Sequence, residues 1–178
     1  MKRLLAFLLF SMFSAATLLA QKPNFIEGVG QGYDGEWTHV SRQLIALAEA
    51  IPADKYAWRP APGVRSTGEV IMHIAGANFY FLSLMGQKLP PDFQSVDEEK
   101  VAPEKAKVVD WLKRSLDAAG NARAHVTAAD LKKTAKFLDH TVTHDDIYLR
   151  MVIHNNEHMG QLVAYARMNG VVPPWSEK

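Results

Sequence analysis

The segment His154-Asn155-Asn156-Glu157-His158-Met159-Gly160-Gln161 places two histidines four residues apart within a stretch of helical periodicity. Four residues make just over one helical turn, so both imidazoles leave the same face, about 6 Å apart along the axis. Two neutral imidazoles at that spacing can hold one transition metal between them. A divalent ion needs a third protein ligand, and His73 is the donor available upstream, within Ser66-Thr67-Gly68-Glu69-Val70-Ile71-Met72-His73-Ile74-Ala75. Three nitrogen donors would leave coordination positions for water or substrate. That arrangement suits a Lewis acid or a hydroxide generator better than a structural plug.

Ile147, Met151, His154, His158, Gln161 and Tyr165 form one continuous helical stripe, and its apolar members turn it toward a protein interior. Unpaired imidazoles in an apolar core would cost several kcal/mol in desolvation. A metal removes that cost, and so would hydrogen bonds to Glu69, Asn78 or Gln161. Glu157 is displaced from the stripe by about 100° and Glu69 lies one turn before His73. Glu69, Glu157 and Gln161 are thus the candidates for orienting the imidazoles from behind.

A second pair, His140 and His144, has the same spacing, but Thr141, Val142 and Thr143 between them are β-branched and poor helix formers. That pair reads as a surface loop. His39, beside Trp37, is a possible neighbour of the site, and His125 suits the negative pole of a helix end. Other metal architectures fail. A di-iron bundle needs Glu-x-x-His, yet Glu157 is followed by Gly160 and Glu69 by Met72. The zincin pattern needs a glutamate where Asn155 stands. Covalent haem is excluded because the chain has no cysteine.

Four amphipathic segments must position these residues. The first runs from about Gly35 to Ala50, with Trp37, Val40, Leu44, Leu47 and Ala48 on one stripe, and Pro52 stops it. A proline-rich loop to Arg65 follows, in which Tyr56 and Trp58 pin the loop to the bundle end. Ser66 or Thr67 caps the second helix, with Glu69 as the capping-box partner of Ser66, and Gly86 ends it. The third spans about Glu104 to Val126, and residues 127–143 form a long, partly irregular connection. Thr143 then caps a fourth helix from about Asp146 to Asn169, with Gly170 beyond it. No strand-like alternation is seen. An all-α four-helix bundle follows, with room for crossovers in the links between helices two and three and helices three and four.

The chain has 178 residues, 48% of them hydrophobic, enough for one domain with a proper core. Residues 1–20 have the layout of a secretory signal peptide: basic Lys2 and Arg3, an apolar run, then small residues before Ala16 or Ala20 as cleavage positions. The run is shorter than the roughly 20 residues a spanning helix needs. Residues 21–34 form an N-terminal extension and 35–178 the bundle. Without cysteine there is neither lipid attachment nor a disulfide, so the expected location is periplasmic or secreted, with no membrane association after cleavage. A net charge of +1 and scattered basic residues give no footprint for nucleic acid.

The chain resembles the DinB/YfiT-like superfamily of metalloenzymes. His73 in its helix-two segment, His154-x-x-x-His158 followed by Gly160-Gln161, and the ending Tyr165 to Gly170 before Pro173-Pro174 carry the likeness. It covers Trp37 to Trp175. The resemblance implies a bundle with crossover connections, a divalent metal (zinc or nickel) on His73, His154 and His158, and pairing into homodimers. Related families include enzymes that use low-molecular-weight thiols. Those cofactors act mainly in the cytoplasm, so the export signal argues against a simple thiol-transferase role. The expected function is a metal-dependent hydrolase or transferase acting on an unidentified small molecule. The alternatives are a non-catalytic periplasmic binding bundle and a metal-free bundle whose histidines are hydrogen-bonded.

Overall fold

The computed structural model describes residues 30–93 and 96–176. The expected signal peptide, and most of the 21–34 extension, lie outside them. Four long helices dominate: α1 (Gly32–Ala50), α2 (Thr67–Leu84), α4 (Lys105–Ala124) and α6 (His144–Met168). Two short helices, α3 (Glu98–Val101) and α5 (Ala128–Leu131), and a hairpin of β1 (Thr134–Phe137) and β2 (His140–Thr143) fill the links.

The stripe expected for the first helix is the one it buries: Val40, Leu44, Leu47 and Ala48 are fully enclosed and Trp37 nearly so. Ser66 caps α2 in a capping box, accepting from the Glu69 N–H at 3.3 Å, while the Ser66 N–H donates to Glu69 Oε2 at 2.6 Å. Thr143 and Asp146 do the same for α6. Tyr56 is fully buried and donates to the Ala48 carbonyl at 2.7 Å, fixing the 51–66 loop across the end of α1.

α1 packs against α4 and α6, and α2 packs against the same two helices, so α1 and α2 sit diagonally in the bundle. Directions follow from the contacts. Lys105, at the start of α4, donates to the Glu49 and Ile51 carbonyls at the end of α1, so that pair is antiparallel. Gly68 meets Ala102 and Asn78 bonds Ser115, so α2 and α4 run parallel. Tyr165 reaches Arg65 while His154 reaches His73, so α2 and α6 are antiparallel. Parallel α2 and α4 require the 85–104 link to return along the bundle, about 27 Å for the 18 residues of α2. This is one of the two crossovers expected. The 125–143 link is the other, crossing an end from α4 to α6, and the 51–66 loop also crosses diagonally.

The hairpin corrects the expectation that 127–143 is irregular and free of strands. Thr134 pairs with Thr143 and Phe137 with His140 around a two-residue turn in which Leu138 takes a φ of 53°. The β-branched run that argued against helix is the second strand. Extended backbone covers about 3.3 Å per residue, so His140 and His144 are separated by roughly 13 Å of strand and not by a helical turn. Helix boundaries otherwise shift by two or three residues: α1 begins at Gly32 and α6 at His144.

Gly68 is required by packing, because a Cβ there would overlap the Ala102 carbonyl, which is backbone and cannot swing aside. Gly160 faces open space on α6. Gly68→Ala should therefore lower stability by about 1–3 kcal/mol, whereas Gly160→Ala should raise it by about 0.5–1 kcal/mol. Denaturant unfolding of the two variants beside the wild type measures both.

Candidate metal centre

Antiparallel packing of α2 on α6 sets His73 opposite the His154/His158 pair. Ring centroids are 5.0 Å apart for His73–His154, 4.7 Å for His73–His158 and 4.5 Å for His154–His158. One ligand atom from each of the three lies within 4.8 Å of the other two. His154 is buried, while His73 and His158 are partly exposed. The cluster therefore has one closed side and one open side.

The Nε2 atoms of His73 and His154 are 3.2 Å apart. Two nitrogens bound to one zinc at about 2.05 Å in a tetrahedral arrangement would lie about 3.3 Å apart, so the rings stand at ligand separation. His158 is committed through its other nitrogen: Nδ1–H donates to Gln161 Oε1 at 2.9 Å, which leaves Nε2 with its lone pair. Gln161 Nε2–H in turn donates to the Tyr165 hydroxyl at 2.9 Å, and that hydroxyl donates to the Arg65 carbonyl at 3.2 Å. This relay fixes the tautomer of His158 from outside the cluster. His154 Nδ1 is buried without a hydrogen-bond partner among the described residues, and Phe81 packs edge-on against its ring at 5.9 Å. Phe137 of the hairpin backs Phe81 at 5.6 Å.

Burial pushes both His73 and His154 down to about 4, from an ordinary value near 6.5. Arg65 and His158 add to the effect on His73, and the two neighbouring imidazoles add to that on His154. Neutral imidazole is the ligand form, so the environment favours what a metal needs. Without a cation, the Nε2 atoms of His73 and His154 can share only a single proton, and His154 Nδ1 is buried without a partner among the described residues. The donor set fits a divalent metal.

The carboxylates are spoken for. Glu69 caps α2 and pairs with Arg59 at 2.7 Å. Glu157 makes a two-pronged contact with Arg150, at 3.1 and 2.8 Å, spanning His154 on the surface of α6. Neither carboxylate contacts an imidazole, whereas Gln161 does. The remaining histidines lie elsewhere. His125 Nδ1 bonds the Asn121 carbonyl at the end of α4. His125 and His144 line a cavity of about 570 Å³ where α4 ends and α6 begins, which contains none of the three clustered rings. His39 is not among the clustered residues, and its Nδ1 is buried without a partner among the described residues.

A model of the DinB superfamily matches residues 36–162, a span containing all three histidines. The chain belongs to the DinB superfamily. A DinB-like protein from Bacillus cereus ATCC 10987 is similar in structure, with a TM-score of 0.71 and 21% identity over 81% of this chain and 95% of that one. Another DinB-like protein, from Bacillus subtilis, gives 0.63 and 17%, over 82% and 99%. At those identities they support the DinB fold alone. Comparison with curated proteins finds no match.

Two features beside the cluster have no role assigned from sequence. Tyr165 was on the stripe but had no assigned part, although its spacing of four from Gln161 could have suggested one. Arg65, whose carbonyl accepts from the Tyr165 hydroxyl, sits in a segment with no periodicity to mark it.

The depressed histidines set a pH window. In the metal-free protein the unfolded chain binds more protons than the native one between about pH 4 and about pH 6.5. Stability must therefore fall as pH drops through that window and stop falling from this cause below it. Thermal melts of metal-free protein between about pH 7 and about pH 5 should show a falling midpoint, and a His73→Gln/His154→Gln double variant should show a shallower fall.

Proposed function

We propose that this chain is a metal-dependent enzyme of the hydrolase or transferase class, with one divalent metal, zinc or nickel, on His73, His154 and His158. The observation that carries the reading is the convergence of three imidazoles, with His73 and His154 held neutral by burial and His158 oriented by Gln161 and Tyr165. A bound divalent ion would supply a Lewis acid able to polarise a carbonyl or acidify a water molecule. The protein supplies the rest. Phe81 shields the closed side, while the partly exposed His73 and His158 leave the other side open to a small molecule. Three protein ligands with an open face are typical of catalytic rather than structural sites.

A non-catalytic binding bundle is the second reading. It is favoured by the pairing of both nearby glutamates, Glu69 and Glu157, with arginines, since neither is then free to take a proton. In either case we place the protein outside the cytoplasm, on the basis of its N-terminal sequence, with a small molecule and not nucleic acid as its partner. Among the described residues no helix is long and apolar enough to cross a membrane.

Metal analysis of protein purified without a histidine tag tests the site. About one equivalent should accompany the wild type and much less the His154→Ala variant; equal, trace contents in both would end the reading. Gln161→Leu removes the acceptor for His158 Nδ1–H while leaving all three ligands, and should weaken metal affinity by about 10-fold or more in competition with a chromogenic chelator.

A further inference from the structure

The cavity of about 570 Å³ where α4 ends and α6 begins takes no part in the metal reading. His144 on its wall lies ten residues before His154, about 15 Å away along α6. Its volume is that of a site for a small organic molecule. Part of the lining is apolar: Met85, which caps α2, with Ala118, Ala122 and Val126 at or just beyond the end of α4. Ala118 and Ala122 stand one turn apart on one face, and their short side chains leave a flat surface.

Tyr148 also lines the cavity, yet it is only 2% exposed. Its ring is fixed, meeting Tyr33 edge to face at 5.5 Å with the Arg123 guanidinium 5.4 Å from its centre. Its hydroxyl makes no hydrogen bond to any described residue. Buried hydroxyls are normally paired, so this one marks a place for a partner that enters from outside. Burial raises the phenol's pKa, so it keeps its proton and can donate.

The other polar groups narrow the class of that partner. His125 Nδ1 bonds the Asn121 carbonyl at 2.8 Å, so in the neutral ring Nδ1 carries the proton and Nε2 is left with a lone pair. The ring nitrogens of His144 are unpaired among the described residues. Two opposite charges on the wall cancel, since Lys133 Nζ lies 2.7 Å from Asp130. The Asp130 carboxylate also accepts from the N–H and the hydroxyl of Thr127, at 3.0 and 2.6 Å. A carboxylate ligand could not donate to the His125 lone pair, and an ammonium could not accept from Tyr148. A hydroxyl does both.

We propose that this cavity is a second binding site, separate from the three histidines, for a small uncharged aromatic molecule bearing a hydroxyl group. The ring of that molecule lies against Ala118 and Ala122, while its hydroxyl accepts from Tyr148 and donates to an imidazole of the wall. The site stands independently of the metal reading, because none of the three clustered histidines lines it.

Three probes share one ring system and differ in charge: 2-naphthol, 2-naphthoate and 2-naphthylmethylamine. Each is titrated calorimetrically into wild type, Tyr148→Phe, Ala122→Leu and His154→Ala at about pH 7.5, where unperturbed imidazoles are neutral. The wild type should bind 2-naphthol about tenfold tighter than either charged probe. Tyr148→Phe should weaken 2-naphthol by about fivefold or more without lowering the melting temperature, because the hydroxyl has no protein partner to lose. Ala122→Leu, which fills the flat surface, should abolish binding, whereas His154→Ala should leave it unchanged. Failure of the wild type to bind 2-naphthol, equal binding of a charged probe, or an affinity that survives both Tyr148→Phe and Ala122→Leu overturns the proposal. Loss of binding in His154→Ala also overturns it, by moving the probe to the histidine cluster. Should Tyr148→Phe fail to fold, Ala122→Leu decides alone.

Discussion

Everything in this bundle that bears on chemistry depends on the antiparallel contact between α2 and α6. It brings His73 and His154 to 3.2 Å across 81 residues of chain. The same contact lets Tyr165 reach back to Arg65 and stacks Trp58 edge-on against Tyr165 at 5.3 Å. That register has two anchors, one apolar and one polar. Ile74 and Val70 of α2, and Met151 and Leu162 of α6, are fully buried in the one core the helices share. The Gln161–Tyr165–Arg65 relay sets their axial position. A slip of one turn, about 5.4 Å, would break the relay and the cluster together.

The parts of this arrangement readable in the sequence were those governed by local rules. The capping boxes at Ser66/Glu69 and Thr143/Asp146 obey a spacing of three that needs no tertiary context. His154 and His158 share a face because a helix repeats every 3.6 residues, and Gln161 stands behind them for the same reason. Which helices touch was less accessible: an apolar stripe such as that of α1 fits any neighbour, and the diagonal placement of α1 and α2 comes from how four stripes close on one core. The hairpin escaped notice because its strands have only four residues each and Leu138-Asp139 carries no glycine or asparagine to announce a turn. Arg65, in a proline-rich loop, resembles any exposed arginine until Tyr165 is seen to hold its backbone.

Arg59 pairs with Glu69 and Arg150 with Glu157, so neither of these glutamates joins the three imidazoles. Carboxylate ligands favour hard, oxygen-preferring cations, whereas a set of nitrogens favours softer first-row ions.

The 81 residues that separate His73 from His154 have a consequence for how the molecule comes apart. No local segment contains the whole donor set, so an ion held by it has no partner in a half-folded chain. Its binding energy falls entirely on the global transition, as a cross-link closing that loop would. The crossover path of 85–104, which makes α2 and α4 parallel, lies inside the loop so closed. A bound metal and the topology would thus fasten the same stretch.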